Sequence, residues 1–108
     1  MRTPLFAAAV VLLSALTLSA APLSVAWAAN PAAGKTVYEA NCAACHGTDG
    51  TATVPATPNF AKRERLEKPD AQLLNSIRHG LNIMPAWQGQ LSNDEISSAL
   101  MYIRTLGR

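Results

Sequence analysis

Cysteine is scarce in this chain. Cys42 and Cys45 are its only two in 108 residues, and just two positions separate them. A bridge between them would close a tiny loop and restrict the unfolded chain very little, so the domain lacks an ordinary disulfide staple. Charge is sparse as well: Lys, Arg, Asp and Glu together make up 15%, with a formal net charge of +2. A nucleic-acid binder needs a marked basic excess on one face, which this composition does not supply. No internal repeat or low-complexity tract appears after residue 30. Period-two alternation is missing too, so no strand is expected.

One long apolar run is present, and it lies at the N-terminus. Met1-Arg2-Thr3 gives a short positive start, Leu5 to Ala21 is apolar apart from scattered Ser and Thr, and Pro22 breaks the run. Ala26-Trp27-Ala28 then offers small residues at the two positions a signal peptidase reads. The layout predicts a secretory signal peptide over residues 1–28, cleaved to leave a domain at 29–108 in the periplasm. The competing reading is an uncleaved membrane anchor. The run has 17 residues, the lower limit for spanning a bilayer, and a cleavage site follows it, so no stable membrane insertion is expected after export. No cysteine lies near the site, which excludes a lipoprotein anchor. Loss of Arg2 with the leader brings the net charge to +1.

The remaining 80 residues bury a thin core, and domains of that size usually need a staple, a metal or other covalent help. Asn30-Pro31 is a good helix start, Asn as cap and Pro in the first turn, and the helix is expected to reach residues 42–44. Gly34 inside it costs about 1 kcal/mol relative to Ala, which suggests close packing by another backbone. Residues 47–60 are rich in Gly, Thr and Pro and read as loop. The mixed-charge run Lys62 to Lys68 reads as a solvated surface. A second helix is expected over Ala71–His79, with Leu73, Leu74 and Ile77 as its apolar face and Gly80 as a left-handed stop. Ser92 and Glu95 form a capping box for the last helix, whose stripe is Ile96, Ala99, Leu100, Ile103 and Leu106. The fold class is all-α, with three main helices and long loops.

The cysteine pair admits four readings. A thioredoxin-type dithiol needs a strand before it and a helix after it; here the pair ends a helix. Zinc is arithmetically possible, because Cys42, Cys45, His46 and His79 are all the Cys and His present. Usual zinc sites space their histidines apart, however, and Cys45 and His46 are adjacent. A bare disulfide explains neither His46 nor the small core. Cys-x-x-Cys-His as a c-type haem attachment gives each residue a task. Each thiol adds to one haem vinyl group, and His46 presents its imidazole to the iron. The covalent haem also supplies the apolar body that so short a chain lacks.

With Gly34-Lys-Thr-Val-Tyr38, Cys42-Ala-Ala-Cys-His-Gly47, Pro58-Asn-Phe60, Met84-Pro-Ala-Trp87 and the closing segment from Leu91 to Leu106, the chain resembles the small class I c-type cytochromes. The resemblance runs over essentially the whole domain. It implies a cytochrome c-like fold wrapped around one haem c per chain, attached through Cys42 and Cys45. By analogy, Gly34 and Tyr38 would meet Ala99 and Tyr102 where the first and last helices cross. A loop proline carbonyl would accept the Nδ1–H of His46, with Pro58 the choice and Pro55 the alternative. Met84 stands where the family places its sixth ligand, and Trp87 would pack on the haem edge. His79 is the rival ligand, although a surface histidine favoured by the helix dipole is the plainer reading.

His/Met ligation leaves the iron no vacancy for oxygen or peroxide, so no enzymatic activity is expected. The implied function is a monomeric, soluble periplasmic carrier of single electrons. Its partners would be redox proteins, a donor dehydrogenase or cytochrome complex and an acceptor oxidase or reductase. The alternative is a haem subunit permanently docked on such an oxidoreductase. Lys62, Arg63, Arg65 and Lys68 form a candidate patch for orienting encounter.

Overall fold

The computed structural model describes residues 20, 21 and 28–108. The leader expected over 1–28 therefore lies, but for residues 20, 21 and 28, outside the described residues. Among these residues four helices follow in order: α1 (Pro31–Asn41), α2 (Ala43–His46), α3 (Asp70–His79) and α4 (Asn93–Leu106), with a single 3₁₀ turn at Phe60–Lys62. No strand forms among the described residues; backbone pairing outside the helices is limited to isolated bridges, Leu81 with Met84 and Gln88 with Leu91. Among these residues no helix is long and apolar enough to cross a membrane.

Local chemistry starts each helix. The Asn30 side chain accepts from the Ala33 N–H at 2.7 Å while Pro31 occupies the first turn. Ser92 Oγ accepts from the Glu95 N–H at 3.1 Å, and the Glu95 carboxylate accepts from the Ser92 N–H at 2.7 Å, so both halves of the capping box are made. α3 starts one residue earlier than expected, at Asp70, and has no side-chain cap. Asp70 in its first turn is instead favoured by the helix dipole.

The first helix departs from expectation at its end. Rather than reaching residues 42–44, α1 stops at Asn41 and α2 restarts at Ala43. At the joint, the Cys45 and His46 N–H groups both donate to the Cys42 carbonyl, at 3.2 and 3.0 Å. This tight turn leaves Cys42 at the joint and places Cys45 and His46 in their own short helix.

α1 and α4 cross at backbone contact. A Cβ placed on Gly34 would overlap the Ser98 carbonyl and come within 3.0 Å of the Ala99 nitrogen. Only glycine allows this approach, which accounts for its cost within the helix. One turn further on, the Tyr38 and Tyr102 rings meet edge to face, with centroids 5.3 Å apart. Ser98, at the crossing, is buried, and its hydroxyl accepts from the Asn30 N–H at 3.1 Å. Ile96, Leu100, Ile103 and Leu106 of α4 join Leu73 and Ile77 of α3 and Phe60 in one core.

The run from Lys62 to Lys68 is not simply a solvated surface. Leu66 is 5% exposed and belongs to the core, while Arg65 and Lys68 are half-buried. The segment is held down by Arg104 of α4, whose guanidinium donates to the carbonyls of Leu66 and Lys68, each at 2.9 Å, and to the Asp70 carboxylate at 2.7 Å. The charged pattern hid an anchor because every residue around Leu66 is polar.

Candidate functional site

A cavity of about 360 Å³ opens between the helices and the two long loops. Its lining is mostly apolar: Leu73 and Ile77 come from α3, Leu100 and Ile103 from α4, and Phe60 and Leu66 from the intervening loop. Cys42, Cys45, His46, Pro58, Met84 and Trp87 all line this same space. Residues 42 apart in sequence, from Cys42 to Met84, thus share one wall system. His79 does not line it and lies exposed at the end of α3, so the four Cys and His side chains are not brought together. Among the described residues, no group of three or more His, Cys, Asp or Glu gathers as a metal site.

His46 is 8% exposed and held from two sides. Its Nδ1 lies 3.2 Å from the Pro58 carbonyl. A carbonyl can only accept, so Nδ1 carries the proton and Nε2 keeps its lone pair. The Phe60 ring stacks on the imidazole, with centroids 4.3 Å apart and planes 12° from parallel. Burial pushes the His46 pKa down, against the opposing Pro58 hydrogen bond, so the ring is neutral and suited to ligate a metal. Pro55 is exposed and lines only a neighbouring groove. The Pro58-Asn59-Phe60 turn is itself fastened: the Asn59 side chain caps the Lys62 N–H, and the Asn59 N–H donates to the Glu64 carboxylate at 2.7 Å.

The two cysteines are free thiols in different settings: Cys42 is half-buried and Cys45 exposed. Burial, with Cys45 nearby, pushes the Cys42 thiol up to about 11.

Met84 is positioned by the end of α3. Gly80 ends that helix with φ 78° and ψ 165°; the φ is left-handed as expected, but the extended ψ turns the chain back sharply instead of continuing a helical cap. Leu81 and Met84 then exchange backbone hydrogen bonds at 3.3 and 3.0 Å. Beyond the tight turn, the Trp87 and Gln88 N–H groups donate to the Ile77 and Arg78 carbonyls, at 3.0 and 3.1 Å. These carbonyls belong to the last turn of α3, which has no intrahelical donors for them. The Met84-Trp87 loop is therefore pinned at its start to Leu81, just past α3, and at its end to α3 itself. Trp87 is half-buried against the core.

These residues fit a covalently held haem. The cavity is apolar enough for a macrocycle, two thiols reach it, and a neutral imidazole and a thioether share its walls. Sequence reasoning quoted Phe60 within its motif and Arg65 within a surface patch, but gave neither a place in the cavity.

Comparison with known proteins agrees with this chemistry. The family model described as cytochrome c oxidase, cbb3-type, subunit III matches residues 29–103. The cbb3-type cytochrome c oxidase subunit CcoP of Azospirillum brasilense is 36% identical over 81 residues, 68% of this chain. The chain spans only 28% of that relative's length. Cytochrome c6 of Tetradesmus obliquus is 35% identical over 79 residues, covering 69% of this chain and 89% of its own. Among solved structures, cytochrome c6 of the diatom Phaeodactylum tricornutum superposes with a TM-score of 0.60 at 26% identity, over 70% of this chain and 92% of that one. The helix arrangement is thus that of the cytochrome c fold.

Proposed function

The chain belongs to the c-type cytochromes, and on that premise we propose that it is a soluble periplasmic carrier of single electrons, with haem c held by Cys42, Cys45, His46 and Met84. Haem c is the cofactor of this family and electron transfer its role. The observation that carries the residue assignment is the single apolar cavity shared by both thiols, the Pro58-oriented imidazole and the Met84 side chain.

Each cysteine has one reaction to perform. Cys42 and Cys45 would hold the group as thioethers, each sulfur adding to one carbon of a vinyl group and its proton to the other, without net oxidation or reduction. His46 and Met84 would hold its iron. When bound, the haem supplies a one-electron iron couple, and a thioether ligand favours its ferrous form. Pro58 and Phe60 fix the His46 ring, while Trp87, Leu73, Ile77 and Leu100 exclude water. Held by His46 and Met84 together, the iron would have no position left for a substrate, which supports electron transfer as the role.

Two groups of relatives favour different settings. The cytochromes c6 match over most of their own length, which supports a free carrier of this size. The CcoP subunits match over about a quarter of theirs, which supports a domain docked on an oxidase. The carrier reading is tested on the purified native protein. It should titrate reversibly with one electron, exclude CO in the ferrous state, and migrate alone in gel filtration of native extract. Co-migration with an oxidoreductase would favour the docked subunit; rapid CO binding would overturn the carrier.

A further inference from the structure

Glu64 stands on an exposed turn and does not line the cavity, yet it bonds the peptide group that holds His46. The Pro58 carbonyl lies 3.2 Å from His46 Nδ1, and the Asn59 N–H lies 2.7 Å from Glu64 Oε2. That carbonyl and that N–H belong to one peptide unit. The unit is planar and conjugated, so electron density gained by its oxygen is drawn from its nitrogen. His46 and Glu64, 18 residues apart, are thereby the two ends of a single chain of hydrogen bonds. Imidazole N–H meets carbonyl at one end, and amide N–H meets carboxylate at the other.

The local backbone holds Glu64 to this contact. Its own N–H donates back to the Asn59 carbonyl at 3.1 Å, closing a ring with the side-chain bond. The Asn59 side chain accepts from the Lys62 N–H at 3.2 Å and fixes the turn from its other side. Arg63, directly before Glu64, takes a left-handed φ of 65° to bring the chain round. No ion pair among the described residues includes Glu64, so no cation there competes with the Asn59 N–H for its charge. A neutral acceptor would have sufficed to satisfy an exposed amide; an ionised one bonds it roughly twice as strongly.

Hydrogen bonds in a chain polarise one another. A carboxylate on the Asn59 N–H makes the Pro58 carbonyl a stronger acceptor, and a stronger acceptor on Nδ1–H makes Nε2 more basic. We propose that Glu64 is a positioning residue that raises the basicity of His46 through the Pro58–Asn59 peptide and so lowers the reduction potential. The proposal rests on the reading of His46 as a haem ligand. A more basic nitrogen favours ferric iron, which carries one more positive charge. Glu64 thus acts against the thioether of Met84, which favours the ferrous form.

The test compares Glu64→Gln, Glu64→Ala and Glu67→Gln with the wild type, all as haem-loaded proteins. Glu64→Gln keeps an acceptor for the Asn59 N–H and removes only the charge. It should raise the ferrous-to-ferric ratio at a fixed ambient potential by about threefold, which is about 28 mV for one electron at about 59 mV per tenfold. In the NMR spectrum of its ferrous form, the His46 Nδ1–H resonance should move upfield as that bond weakens. Glu64→Ala should shift both readouts the same way and at least as far. Glu67 is exposed and faces Lys68 Nζ at 3.7 Å, so Glu67→Gln removes a nearby charge and should change neither readout. The Glu64→Gln shift should persist at high salt, which screens a field acting through solvent but not a chain of bonds. An unchanged potential or Nδ1–H resonance in Glu64→Gln would overturn the proposal, as would a shift that salt abolishes or Glu67→Gln reproduces. A lower melting temperature in Glu64→Gln at wild-type potential would overturn it too, marking a structural role alone. Failure of the haem reading is separate and visible first, as loss of colour from the wild type on acid-acetone extraction.

Discussion

The Tyr38 hydroxyl donates a 2.6 Å hydrogen bond to the Gly47 carbonyl, from a side chain with no exposed surface. The bond joins the last turn of α1 to the residue directly after His46. It therefore ties the helix crossing to the segment that carries the cysteines and the imidazole. Burial raises the Tyr38 pKa further, with Cys42 nearby adding to the effect, so the group is a neutral donor throughout the working range.

Tyr38→Phe should cost about 1 kcal/mol in denaturant unfolding of the haem-loaded protein. The Gly47 carbonyl keeps the Gly50 N–H as a second donor at 3.2 Å, so the loss stays near that of one neutral hydrogen bond. The ring contact with Tyr102 survives, and the visible spectrum should not change.

At Gly34 the expected loss is larger. Ala improves helix propensity by about 1 kcal/mol, but its methyl would overlap the Ser98 carbonyl. Backbone cannot rotate away as a side chain can, so α1 and α4 must separate and the Tyr38–Tyr102 contact with them. Gly34→Ala should destabilise by about 2 kcal/mol or more in the same assay. A neutral or stabilising result would show that the crossing is loose.

Local signals in the sequence were reliable where the structure is local. The Asn30-Pro31 start, the Ser92–Glu95 box and the α4 stripe depend on neighbours within one or two turns. Gly34 was also legible, because a residue costly within its helix needs a reason from outside. Leu66 and Arg104 were not, since the bonds from Arg104 span 34 to 38 residues and no period in the sequence marks them. Within the candidate patch, Lys62 and Arg63 are exposed, Arg65 lines the cavity and Lys68 is half-buried.

Arg104 supplies a prediction of its own. It satisfies two backbone carbonyls and the Asp70 carboxylate from one planar group. Arg104→Ala should cost about 2–3 kcal/mol, most of it persisting at high salt, because the carbonyl bonds are half-buried and do not depend on ion pairing. Arg104→Lys should recover little, since a point charge cannot fork to three acceptors.

The cysteines give a covalent readout. With two thioethers, colour stays with the protein in acid-acetone, and the alkaline pyridine spectrum is of the c type. Cys42→Ala and Cys45→Ala should each retain at most one bond, shift that spectrum, and yield much less loaded protein. Colour leaving the wild type would contradict covalent attachment.

Met84 decides between a closed and an open iron. If its sulfur is the sixth ligand, the ferric protein should show the weak near-red charge-transfer band of a Met–haem bond. Met84→Ala should abolish that band, admit cyanide and CO, and lower the reduction potential, because a soft thioether that favours ferrous iron is lost. The variant should still fold, since the loop's anchors are backbone bonds from Trp87 and Gln88 to α3 that the substitution leaves in place. His79→Ala is the control, changing an exposed histidine outside the cavity lining, and it should leave band, ligand access and potential unaltered. Loss of the band in the His79 variant, with the Met84 variant unaffected, would move the sixth ligand to α3. That result would also require the end of α3 to turn inward, against the Gly80, Trp87 and Gln88 bonds that now hold it.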